Sequence, residues 1–236
     1  MRRSERTPTE LAREIEPYAQ KLSDEERERL RFILVWDFLS EFDARFYSRY
    51  VRALDLPFTR SFLATEAQWA LDEKRHCEVF RTAYDVVIGI DAEFQAELDR
   101  REANFGPIEH LFEDEFSIAC LGAYDELATV RAYKANLEWY DRLGPKFGKV
   151  VRRVIADEAQ HYANFLELLR NEHAHRVEDA DRVITRIRET EGTPYANTFI
   201  LDHDDPIFTD EIYDESESIL RKHVGRIATM PTTQTA

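Results

Sequence analysis

At 236 residues, 43% hydrophobic and 12% aromatic, the chain carries enough apolar side chains to fill one sizeable core. A formal net charge of −15 argues against nucleic-acid binding through a general basic field. No apolar run approaches the length of a transmembrane helix. The charged start Met1-Arg2-Arg3-Ser4-Glu5-Arg6 is not a secretory signal. The two cysteines, Cys77 and Cys120, lack metal-binding spacing and read as reduced thiols of a cytoplasmic protein. With 7 Gly and 8 Pro, long stretches run without breakers, which favours helices over a turn-rich β fold.

Residues 1–28 form a polar, charged arm in which Thr9 or Ser23 caps a short helix; Ser23-Asp24-Glu25-Glu26 fits a capping box. A first long helix is predicted over 29–53, with Leu34, Phe38, Glu41 and Arg45 along one face, and Leu56-Pro57 ends it. A second is predicted over 60–88, with Trp69, Glu73, His76 and Phe80 on one face and Gly89 as its stop. Residues 91–101 read as a short charged helix, and Gly106-Pro107 breaks the chain. A third long helix is predicted over 108–139, with a stripe of Ala119, Gly122, Glu126, Thr129 and Tyr133 whose small members admit a close neighbour. After Gly144-Pro145 a fourth runs over 146–172, with Val151, Val154, Glu158, His161 and Phe165 facing inward. The whole reads as one all-α domain: a core bundle over 29–172, a C-terminal extension over 173–228 and a disordered tail over 229–236.

Two stretches share one pattern, Asp72-Glu73-Lys74-Arg75-His76 and Asp157-Glu158-Ala159-Gln160-His161. Positions i and i+3 of a helix lie on one face, so each copy aims a carboxylate and an imidazole at one point. In both halves of the chain a lone Glu on an apolar stripe precedes the pair by 32 residues: Glu41 before Glu73, and Glu126 before Glu158. A buried carboxylate without a partner costs on the order of several kcal/mol, so four converging ones call for compensation. Four carboxylates and two imidazoles suit iron or manganese better than zinc, which takes four ligands and favours thiolates. Glu41, Glu73, His76, Glu126, Glu158 and His161 are therefore the candidate ligands of a dinuclear site built on four helices. Asp72 and Asp157 are placed to accept the outer N–H of the histidine on the opposite helix. A third Glu-x-x-His, Glu172 to His175, lacks the preceding Asp and reads as a solvated helix end.

These motifs resemble the soluble acyl-carrier-protein desaturases of the ferritin-like superfamily, over roughly residues 30–215. Phe32 through Asp37 to Glu41 is similar to that family's first ligand helix, and Trp69 stands four residues before Glu73 as it does there. Tyr124-Asp125-Glu126-Leu127-Ala128-Thr129 resembles the family's Glu-x-Ala-Thr, and Ile155-Ala156-Asp157-Glu158 with His161 its Ala-Asp-Glu-x-x-His. Leu201-Asp202-His203-Asp204-Asp205-Pro206-Ile207-Phe208 resembles its later Asp-Asp-x-x-Phe stretch. The resemblance implies a ferritin-like four-helix bundle with additional short helices and two iron ions, manganese being an alternative at one position. It further implies O2 as co-substrate, a ferredoxin-type electron donor, an acyl carrier protein as partner, and a homodimer. The chain is short beside the plant members, with fewer helices after the bundle. Where the radical-bearing subunit of ribonucleotide reductase has a Tyr, this chain has Phe80; where crosslinked ligand-binding oxidases have a Val, it has Ala44.

The chemistry that follows is oxygen activation at a reduced metal pair, shielded from water by Trp69, Phe80 and Phe165. Thr129, one turn from Glu126, is the candidate for proton delivery, against the alternative of a hydroxyl bonded to its own helix. An acyl-chain desaturase is the first expectation. A di-metal hydroxylase or N-oxygenase on another small substrate, or a ferroxidase-type metal-binding protein, are the alternatives. Between 131 and 153, Arg131, Lys134, Arg142, Lys146, Lys149, Arg152 and Arg153 stand against only Glu138 and Asp141. That local excess is a candidate docking patch for an acidic carrier protein, or else a solvated turn with bases at a helix end.

Overall fold

The computed structural model describes residues 7–191, 200–201 and 207–229. Among them the regular structure is helical, with no strand. Four long helices carry the candidate site: α2 (Asp24–Ala53), α3 (Arg60–Val87), α5 (Glu115–Ala135) and α7 (Pro145–Glu172). Helix α2 packs on α3 across a short connection, α5 packs on α7, and α3 meets α7 between the two pairs. Shorter helices surround them: α1 (Pro8–Ala19), α4 (Ala92–Arg100), α6 (Leu137–Arg142), α8 (Ala180–Thr190) and α9 (Asp210–Thr229). None of the described helices is long and apolar enough to cross a membrane.

The bounds differ from the sequence reading where side-chain caps intervene. Helix α2 begins at Asp24 rather than 29, because Ser23 accepts the Glu26 N–H while Glu26 accepts the Ser23 N–H. Three acidic residues in its first turn add to that start. The polar arm likewise contains a packed helix. Thr7, not Thr9, caps α1, with Pro8 at its first position, and Leu11, Ile15 and Ala19 are buried. The third long helix is shorter than expected: residues Gly106–Leu111 form a 3-10 turn, and Asp114 then caps α5 by accepting the Ser117 N–H. Asn136 leaves the helical region at φ −94 and ψ 5, so Leu137–Arg142 is a separate helix. At the end of α3, Gly89 takes φ +94, a conformation open to glycine at no steric penalty.

Helix α5 is buried on every face from Glu115 to Ala128, which makes it the central element. It packs against α7, α8 and α9. Ile200 and Leu201 cover it as well, the Leu201 N–H donating to the Asp125 carboxylate at 3.0 Å. Residues 202–206 of the Asp-Asp-x-x-Phe resemblance lie outside the described residues, as does the predicted tail 229–236 except Thr229, which instead ends α9.

Two apolar cores fill the interior. One gathers Phe38, Phe80, Val130, Tyr133, Val151 and Val154; the other gathers Tyr47, Trp69, Ala119, Ala123, Tyr162 and Phe165. On all four long helices the candidate ligands sit at the boundary between them. Glu41 lies between Phe38 and Ala44, Glu73 between Trp69 and Phe80, Glu126 between Ala123 and Val130, and Glu158 between Ile155 and Tyr162.

The close approach of α5 and α7 depends on Gly122, where an added Cβ would lie 2.7 Å from the Phe165 ring. In Gly122→Ala, a helix-propensity gain of about 1 kcal/mol offsets part of that clash. Gly122→Val adds bulk without that gain, and is expected to lower unfolding free energy by roughly 1–3 kcal/mol in urea denaturation.

Candidate metal centre

Each long helix brings its ligand residues inward by simple periodicity. On α3 and α7 the Glu and His stand three apart, one above the other on the inner face. Glu41 on α2 and Glu126 on α5 complete the set, and all six residues are buried. Two groups of four result: Glu41, Glu73, His76 and Glu158, and Glu73, Glu126, Glu158 and His161. Within each group the nearest ligand atoms all lie within 4.8 Å of one another. Each group can hold one metal ion.

Glu73 and Glu158 belong to both groups, and each divides its oxygens between them. Glu158 presents Oε1 at 2.9 Å from His76 Nδ1 and Oε2 at 2.8 Å from His161 Nδ1. Glu73 presents Oε2 at 3.8 Å from His76 Nδ1 and Oε1 at 3.2 Å from His161 Nδ1. Glu41 and Glu126 each serve one group, with Oε2 at 3.7 Å from His76 Nδ1 and Oε2 at 3.4 Å from His161 Nδ1. Were a metal held in each group, Glu73 and Glu158 would bridge the two, and Glu41 and Glu126 would be terminal to one each.

The outer nitrogens turn to the opposite helix, as the sequence suggested. His161 Nε2 lies 3.4 Å from Asp72, whose carboxylate also accepts from Gln68 and pairs with Arg75. His76 Nε2 lies 3.5 Å from Asp157, a side chain 54% exposed. The two outer contacts therefore differ: one is embedded, the other open to water.

The two terminal glutamates are each held by a ring donor from another helix. Trp69 Nε1 donates to Glu126 Oε1 at 2.5 Å. The Tyr133 hydroxyl donates to Glu41 Oε1. One turn before Glu41, Asp37 accepts from the Tyr140 hydroxyl at 3.0 Å. The part played by Tyr133 was not read from sequence, although its place on the Glu126 stripe was the available signal. Thr129 stands one turn from Glu126 and is half-buried. His175, from the third Glu-x-x-His, is exposed, as a solvated helix end should be.

A fit to metal is seen in the atoms left over. Glu41 Oε2, Glu73 Oε1, both Glu158 oxygens and the Nδ1 atoms of His76 and His161 are buried with no properly oriented hydrogen bond. Buried polar atoms in native proteins are rarely left so, and all of these face the same small space. Without a metal the charges must be balanced by protons. Burial, and next the charge of Glu73, push Glu41 well above the usual carboxylate range. Burial likewise raises Glu126, against the charge of His161. For both histidines burial favours the neutral ring, but the carboxylates win: Glu158 foremost at His76 and Glu126 at His161 hold the imidazolium well above its ordinary range. Burial also opposes charge on Glu73, yet the neighbouring His161 and His76 rings hold it below the usual carboxylate range.

Comparison of the chain with protein-family models, with curated proteins and with solved structures finds no match in any of the three.

Metal ligands must be deprotonated, so ions entering this centre displace the protons held by Glu41, Glu126, His76 and His161. Iron(II) uptake is expected to reach two ions per chain, release protons and weaken as pH falls. Titration calorimetry in two buffers of different ionisation enthalpy, with metal analysis, reads all three. A proton-neutral, pH-independent uptake would contradict the assignment.

Proposed function

We propose that this chain is a ferritin-like di-iron oxidoreductase that activates O2 and removes hydrogen from an acyl chain, in the manner of the desaturases its motifs resemble. The carrying observation is the pair of four-residue groups that share Glu73 and Glu158. Two hairpins, each bearing a lone Glu and then Glu-x-x-His, are the arrangement on which ferritin-like dinuclear sites are built. Iron bound there supplies one-electron redox chemistry and Lewis-acid binding of dioxygen, and manganese at one position fits the same donor set.

The chain's own residues supply the surroundings. Glu73 and Glu158 would be shared by the two ions, while Glu41 and Glu126 would each complete one position. Trp69, Phe80 and Phe165, all buried, exclude water from the centre. Thr129 is the residue assigned to proton delivery beside Glu126. Electrons come from an external ferredoxin-type donor.

The acyl reading is tested by incubating the iron-loaded chain with acyl substrates, reductant and O2, and following unsaturated product by mass spectrometry. Turnover of a carrier-bound acyl chain is the expected outcome. Hydroxylated or N-oxygenated products from small substrates would favour the oxygenase, and iron oxidation alone the ferroxidase. Thr129→Val is expected to retain both irons and the fold while O2 consumption exceeds product formation; unchanged coupling would make the hydroxyl a packing group.

The basic patch is smaller in the folded protein than in the sequence. Arg142 pairs with Glu26, Lys146 with Glu14, Arg152 with Asp141, and Arg131 with Glu215. The docking surface proposed for an acidic carrier is thus narrowed to the exposed Lys134, Lys149 and Arg153, the last two one turn apart on α7. Reversing Lys149 and Arg153 to Glu is expected to raise KM for carrier-bound substrate about fivefold at low salt, with metal content unchanged. Steady-state kinetics over a salt series checks this; an unchanged KM removes the patch from the proposal.

A further inference from the structure

Helix α3 turns Glu73 and His76 inward, and its opposite face is open. Leu63 and Leu71 stand there at 45% and 59% exposure, two of the three large apolar side chains that are exposed among the described residues. Between them on the same face lie the exposed Ala64 and the half-buried Ala67. Arg60 and Glu78, both exposed, close the two ends of this face, about five turns and 27 Å apart. Among the described residues neither makes an ion pair, whereas Arg52, Arg75 and Arg152 on the long helices each have a carboxylate. Exposed leucines between two unspent charges of opposite sign mark a surface that meets a partner.

We infer that this face of α3 packs against the same face of a second copy of the chain, antiparallel and about a two-fold axis. The inference stands apart from the di-metal reading. In a two-fold interface, if residue i meets residue j, then j meets i. Setting Arg60 against the partner's Glu78 also sets Leu71 against the partner's Ala67, because both pairs are centred on position 69 of the helix. Leucine then enters the space over alanine, base meets acid, and each contact occurs twice. Leu63 lies along the methylene stem of the partner's Lys74. Charge excludes the other arrangements of this face. Parallel packing would set Arg60 on the partner's Arg60 and Glu78 on the partner's Glu78. An antiparallel shift that set Leu63 on the partner's Leu71 would bring Arg60 onto the partner's Lys74. Like charges opposed across an interface are strongly unfavourable.

The strip on α3 is about 27 Å by 10 Å, roughly 300 Å². A stable pair buries about 800 Å² per partner, so α3 alone is too small. Helix α7 supplies more. It runs antiparallel beside α3, with Asp72 and His76 facing His161 and Asp157. Its exposed Ala156 and Ala163 add small apolar side chains to the surface. The leucines supply the affinity through apolar burial. The Arg60–Glu78 pairs set the register and are weakened by salt.

Analytical ultracentrifugation of the full chain over a wide concentration range tests this. The wild type is expected to pass from monomer to dimer as concentration rises, with the dimer weakened by salt. Leu71→Glu is expected to raise the dimer Kd about a hundredfold. Arg60→Glu and Glu78→Arg are each expected to raise it about tenfold, and the two together to restore it. All three side chains are exposed, so helicity by circular dichroism should not change. A wild type that stays monomeric overturns the inference. A dimer indifferent to Leu71→Glu has formed through another face and overturns it too. A double charge swap that fails to restore the dimer overturns the antiparallel register. Metal content is read separately on the same samples, so loss of the di-metal reading would leave this result standing.

Discussion

The constraint on which the rest depends is the burial of four carboxylates and two imidazoles in one small space between two apolar cores. Isolated charges there would each be unfavourable by several kcal/mol, as an order of magnitude, and like charges at this range repel strongly. The side chains nevertheless converge, because each helix places its polar residue on a face that is otherwise apolar and must be buried. The hydrophobic drive of both cores brings the charges together. Protons shared between glutamates and histidines, or metal ions, are what make the result tolerable.

The surrounding hydrogen bonds divide the six residues into kinds that composition alone does not distinguish. Glu158 keeps both oxygens, and Glu73 its Oε1, without a hydrogen bond, whereas Glu41 and Glu126 each have one oxygen occupied by a ring donor. The outer partners of the histidines are unequal too, Asp72 lying in a network with Gln68 and Arg75 while Asp157 faces water. The pseudo-symmetry of the sequence halves is thus broken in the folded molecule. Two groups made of the same residue types therefore have different surroundings.

The elements outside the four long helices do more than connect them. Helix α1 closes one core through Leu11, Ile15 and Ala19, while α8, α9 and the pair Ile200–Leu201 cover the other side of α5. Because α5 is enveloped, Asp125 beside Glu126 is reached by a backbone N–H from a residue 76 positions away. The C-terminal part therefore braces the helix that carries Glu126.

By itself the sequence determined the helical class, the placement of the long helices and the six residues that converge. These depend on local periodicity: a Glu and a His three apart share a face whatever surrounds them, and the 32-residue spacing in both halves marks the repeat. Capping chemistry was legible at Ser23 and at Gly89, though the start of α5 at Glu115, capped by Asp114, was hidden because Ile108 and Leu111 of the 3-10 turn, and Phe112 after it, read as part of the same helix. Only the tertiary structure decided which carboxylates face both groups, since that depends on how the helix pairs face each other and where each oxygen points. It alone showed that Tyr133 and Tyr140 reach the carboxylates of α2, contacts spanning 92 and 103 residues. It also reduced the basic cluster, because the acidic partners that neutralise Arg142, Lys146 and Arg131 lie far away in the chain, at Glu26, Glu14 and Glu215. Pattern along a chain records which face of a helix is buried; what that face meets is set by the packing of elements distant in sequence.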